Sequence, residues 1–111
     1  MKNKTQLEKR LVDIEMNIKR LSGSELKEAI KEKSIITKAL RLLRLTVNGQ
    51  FLKQNLTLLE KRLDQCDILC ENVCNEPGSI QQKRDKVKKI ENQYERSKLI
   101  ENINTLKFIL E

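Results

Sequence analysis

Apolar residues recur along this chain at helical spacing, in four separate runs. In the first, Leu7, Leu11, Ile14, Ile18 and Leu21 follow one another at alternating steps of four and three. That is the seam by which a helix winds one narrow stripe toward a partner. Glu8, Lys9, Arg10 and Asp13 fall between the seam positions and suit solvent, so the pattern predicts a helix over about 4–21. "LSGSEL" then punctuates the chain. Gly23 suits a helix stop, and Ser22 with Glu25, flanked by Leu21 and Leu26, fits a capping box with its hydrophobic staple.

The second run predicts a helix over about 24–46, with Leu26, Ala29, Ile30, Ile36, Ala39, Leu40, Leu43 and Val47 on its apolar face. Ile35, Leu42 and Leu45 widen that face, as in a central helix buried against more than one neighbour. "LTVNGQFL" is the one local conflict, because Asn-Gly between alternating apolar residues is a strong hairpin signal. Helical periods begin at once on both sides and an isolated hairpin is marginal, so Asn48-Gly49 reads as a helix C-cap and turn.

The third run, Leu52, Leu56, Leu59, Leu63, Cys66, Cys70 and Val73, predicts a helix over about 50–73. "CNEPGS" closes it, with Pro77-Gly78 suited to a type II turn, and Ser79 with Gln82 offers another capping box. The fourth run predicts a helix over about 79–109, with Ile80, Val87, Ile90 and Tyr94, then Leu99, Ile103, Leu106 and Leu110. The step from Tyr94 to Leu99 breaks the heptad, so the apolar face rotates around Arg96–Ser97. These periods define an all-α chain: a single domain over 1–111, folded as an antiparallel three- or four-helix bundle with coiled-coil-like packing.

Composition sharpens this picture by exclusion. Charged residues make up 35% of the 111 residues and aromatics 3%, with one proline, a mix suited to helical bundles. No apolar run approaches the roughly 20 residues of a membrane span. The N-terminus has no apolar stretch of the secretory kind, so the expected location is cytoplasmic or nuclear.

The chain contains no histidine, which removes most catalytic and zinc constellations. Asp64 and Asp67 form a candidate carboxylate pair, but with no histidine or glycine-rich loop they have nothing to act with. No enzyme activity, cofactor or metal is expected. Cys66, Cys70 and Cys74 lie four apart on one helical face; two of them occupy seam positions, and free cysteine packs as a small hydrophobe. A soft-metal thiolate cluster is the sharper alternative.

The net charge is +7, unevenly spread: +3 over 1–24, +3 over 25–47, −1 over 48–74 and +2 over 75–111. The stretch "SIQQKRDKVKKIENQ" (79–93) holds Lys83, Arg84, Lys86, Lys88 and Lys89. At helical spacing these cations wrap around the helix, and the stacking aromatics of a nucleic-acid surface are nearly absent. A protein partner is the favoured reading over nucleic acid or a membrane surface.

The order of parts in the C-terminal half resembles a BAG domain. "LEKRLDQCDIL" precedes the loop "CENVCNEPGS", and "KRDKVKKIE" opens the last helix, in all about residues 56–100. The resemblance implies a three-helix co-chaperone module that binds the ATPase domain of a heat-shock chaperone and promotes nucleotide release. It further implies an acidic contact at Asp64 or Asp67, a basic contact at Lys83 and Arg84, and Glu91 where the family usually has glutamine. Lys83 stands in place of the family's arginine, and lysine lacks that planar fork. The expected partner-binding residues are therefore Asp64, Asp67, Lys83, Arg84, Lys88 and Glu91. The competing expectation is a structural coiled-coil subunit or adaptor, whose seams are completed in a homo- or hetero-oligomer.

Overall fold

A computed structural model describes all residues except Val47, which the periodicity had placed on the second helix's face and which lies outside the described residues. Every regular element among them is helical: α1 (Lys4–Asn17), a 3₁₀ turn (Ile18–Arg20), α2 (Gly23–Leu45), α3 (Gly49–Asn75), α4 (Ile80–Tyr94) and α5 (Arg96–Leu110). The chain divides into two compact units, one of residues 1–52 with 105–111 and one of residues 53–104.

In the first unit, α1 packs against α2. The expected seam is the packed face: Leu7 and Ile14 are buried, and Leu11, Ile18 and Leu21 are half-buried. Asn3 starts α1 by accepting from the Thr5 N–H at 2.8 Å, an N-cap that satisfies one orphan donor. Two charge pairs join α1 to α2. Arg10 forks onto Glu32, with Nε 2.7 Å from Oε1 and Nη2 3.1 Å from Oε2, and Lys33 lies 3.8 Å from Glu15.

The core of this unit gathers Ile36, Ala39, Leu40 and Leu43 of α2 with Leu52, Leu106 and Ile109, all buried. Two residues expected on the apolar face of α2 are instead in solvent: Ile30 is 52% exposed and Leu45 83%. The buried residues Ala29, Ile36, Ala39, Leu40 and Leu43 share one narrow face of the helix, and a stripe of that width turns both residues outward. Lys2 closes the end of α5. Its N–H donates to the Ile109 carbonyl at 2.7 Å and its Nζ to the Phe108 carbonyl at 2.6 Å, serving acceptors that a helix end leaves open.

Two local expectations are corrected. The Ser22 side chain makes no capping hydrogen bond, so the first capping box does not form. The chain turns there nonetheless, with Leu21 extended and Gly23 at φ 63°, a conformation glycine adopts without a Cβ penalty. Asn48 is an N-cap rather than a C-cap: its Oδ1 accepts from the Gln50 N–H at 3.0 Å and the Phe51 N–H at 3.2 Å. Asparagine does this well because its side-chain carbonyl reaches back to the free N–H groups of the first turn.

The second unit holds the larger correction. The fourth helix is not one element over 79–109 but two, α4 and α5. They part at Glu95, which takes the left-handed conformation (φ 52°, ψ 50°) while its N–H bonds back to the Glu91 and Asn92 carbonyls. The heptad break therefore marks an end and a restart, one residue before Arg96. The Ser79 cap of α4 does form, with Oγ accepting from the Gln82 N–H at 3.2 Å. Gly78 has φ 145°, which is positive as a glycine permits but well beyond the roughly +80° of a type II turn.

Candidate interaction groove on α4

Helix α4 contains no buried residue. Ile80, expected in the core, is 72% exposed, while Val87, Ile90 and Tyr94 are half-buried. One face of it, from Ile80 to Glu91, instead lines an open groove of about 530 Å³ with Cys74 at the end of α3. Cys74, Ile80 and Val87 supply the apolar part of the lining, and Lys83, Arg84, Lys88 and Glu91 the charged part. The α4 positions 80, 83, 84, 87, 88 and 91 advance by steps of three and four or their sums, so the helix places them on one face.

The five clustered cations therefore divide. Lys83, Arg84 and Lys88 line the groove; Lys86 pairs with Glu76 at 3.4 Å; Lys89 is exposed and outside the lining. The Lys83 Nζ donates to the Cys74 carbonyl at 3.1 Å, where the last turn of α3 leaves acceptors unused. Glu91 is the one carboxylate of the lining.

Four of the six residues singled out from the sequence thus meet in one place, and the two aspartates do not belong to it. Asp67 is taken by Arg96, whose Nε donates to Oδ1 at 3.0 Å. That bond, and the carboxylate charge after it, raise the Arg96 guanidinium above its already high value. Asp64 is exposed and lies outside the groove lining. A smaller polar concavity of about 300 Å³ lies at the bend, lined by Glu91, Asn92, Glu95, Arg96, Ser97 and Lys98.

The cysteines grade from inside to outside. Cys66 is buried, Cys70 is half-buried and Cys74 is exposed, and all three are free thiols. The core reading holds for Cys66. Burial first, and the neighbouring Cys66 second, push the Cys70 thiol above its ordinary value. Among the described residues no group of three or more histidine, cysteine, aspartate or glutamate side chains is placed to hold a metal ion. No helix among them is long and apolar enough to cross a membrane.

The groove residues that the sequence pattern does not single out are Cys74, which lies off the seam of α3, and Ile80 and Val87, whose core spacing places them in the interior. Ile80 and Val87 share a helical register with Lys83, Arg84 and Lys88, but apolar residues at that spacing carry the same pattern as a core face. Compared with known proteins, the chain matches no family model, no curated protein and no solved structure.

Proposed function

We propose that this chain is a non-enzymatic helical module for protein–protein interaction, and that it meets its partner through the groove on α4. The observation that carries this reading is the state of α4: a capped helix with no buried residue, whose apolar and cationic side chains share one concavity. Contiguous apolar surface rimmed by polar groups marks interaction sites. In a bundle of antiparallel neighbours, which the short connections favour, such a helix is the natural one to present outward.

Its most specific form is the BAG-like one, in which the partner is the ATPase domain of a heat-shock chaperone and Lys83 and Arg84 make the basic contact. The resemblance in "KRDKVKKIE" supports it. Binding of a purified chaperone ATPase domain, with its rate of nucleotide release followed in the same samples, tests this form. Binding that is lost in Lys83→Ala/Arg84→Ala supports it, and no binding by the wild-type chain ends it. The structural-subunit alternative draws on the exposed Val12 and Met16 of α1, which stand four apart. Light scattering that shows a stable elongated dimer would favour that reading.

A further inference from the structure

We infer that the α4 groove receives an acidic amphipathic helix of a partner protein, seated with an apolar side chain against Ile80 and Val87 and carboxylates toward Lys83, Arg84 and Lys88. The inference rests on the interaction-module reading above but not on any identity of the partner.

The chemistry of the lining selects this occupant. From Ile80 to Glu91 the face runs about 16 Å, or three helical turns. Lys83 donates to a carbonyl rather than to a carboxylate, and Arg84 and Lys88 have no ion-pair partner among the described residues. A purely apolar occupant would strip water from these cations without replacing it, which is costly. A bare phosphate would leave Ile80 and Val87 in water. A segment carrying both carboxylates and an apolar anchor answers both needs.

Charge also orders the occupant along the groove. The lining cations Lys83, Arg84 and Lys88 all precede its one carboxylate, Glu91, along the helix. The occupant's acidic residues therefore face the N-terminal two-thirds of the groove, and a neutral or basic residue faces Glu91.

Two other occupants fit less well. Single-stranded nucleic acid seeks aromatic faces on which to stack, and the lining contains none; Tyr94 instead lies under Arg62, 5.2 Å from the guanidinium. A second copy docking groove to groove would set these cations against themselves, since a two-fold contact pairs each patch with its own image.

The test uses the full chain and three fluorescent probes in anisotropy titrations. These are a synthetic helix-forming peptide of about 15 residues with leucines on one face and flanking glutamates, the same peptide with lysine replacing each glutamate, and a single-stranded RNA of similar length. The acidic peptide is expected to bind more tightly than the lysine version. Its affinity is expected to fall by about tenfold or more in Lys83→Glu/Arg84→Glu and by several-fold in Ile80→Ser. It should also slow alkylation of Cys74, read by mass spectrometry. Ile80 and Arg84 are exposed and Lys83 is half-buried, so unchanged circular dichroism will show that the variants are folded.

Three results would overturn the inference: equal binding of the two peptides, indifference of the acidic peptide to Ile80→Ser, or tighter binding of the RNA with the same loss in the charge variants. If a captured protein partner is still lost from the charge variants while the acidic peptide does not bind, the module reading stands and this inference falls. If neither the peptide nor any groove-dependent protein binds, both fall.

Discussion

Arg96 Nε donates to Asp67 Oδ1 at 3.0 Å, which ties the first residue of α5 to the second half of α3. The bond follows directly on Glu95, the one non-glycine residue with positive φ among those described. The division of the expected last helix is thus fixed both by a backbone conformation and by a side-chain bond beside it.

Glu95→Gly is expected to stabilise the protein by about 1 kcal/mol in urea unfolding, because glycine adopts the left-handed conformation without the cost borne by a residue with a Cβ. Glu95→Ala should be nearly neutral, since the Glu95–Lys98 pair at 3.8 Å is exposed and such pairs contribute little. A helix running unbroken through residue 95 would give the reverse sign for glycine, a loss of about 1 kcal/mol.

The seams show how much of this was legible in the sequence. Leu7 and Ile14 on α1, and Leu52, Cys66 and Val73 on α3, are buried as their period predicts, because a/d spacing has few alternatives once a helix forms. The Tyr94-to-Leu99 step announced a change of face, but spacing alone cannot separate a rotated face from a break. That choice was made by one residue's φ. The groove was half legible: its charges stood out, whereas Ile80 and Val87 carry the same code whether they face a core or a partner. Ser22 stands at the N-cap position of α2 without making the side-chain bond, and Asn48 caps the start of α3 rather than the end of α2; which free N–H groups such residues reach depends on how the chain turns, a tertiary matter.

Burial separates two residues of α2 that the sequence placed on one face. Ile36 is fully buried and Leu45 is 83% exposed. Ile36→Ala should cost about 2–5 kcal/mol, and Leu45→Ala should fall within about 0.5 kcal/mol of wild type. Comparable losses from both would place Leu45 in a core that this structure does not contain.

The Arg10–Glu32 fork gives the first unit a pH dependence of known sign. The hydrogen bond from Arg10, ahead of its charge, holds the Glu32 carboxyl below its ordinary 4.5. The folded state therefore binds this proton less readily than the unfolded chain does. The contribution is complete above about pH 4.5 and fades as acid titrates the group through its lower folded value. Glu32→Gln is expected to flatten the acid limb of the stability profile slightly, since the pair is partly exposed. A steeper limb would contradict this.

The three thiols should alkylate in a fixed order. Cys74 is exposed, Cys70 is half-buried with its thiol pushed up by burial, and Cys66 is fully buried. Reactivity follows access and thiolate fraction, so time-resolved mass spectrometry with iodoacetamide should find Cys74 modified first and Cys66 only as the protein unfolds. Early modification of Cys66 would contradict the packing of α3.

The central claim is that α4 is the partner-binding helix, and a quantitative capture experiment reaches it most directly. Wild type, Lys83→Ala/Arg84→Ala and Lys19→Ala/Arg20→Ala are immobilised at equal density and exposed to cytosol, and the retained proteins are quantified. Both variants remove two exposed or half-buried cations, but only the first touches the groove. A protein retained by wild type and by the Lys19/Arg20 variant and depleted by the Lys83/Arg84 variant is the expected result. Equal retention by all three, or equal loss from both variants, would contradict it.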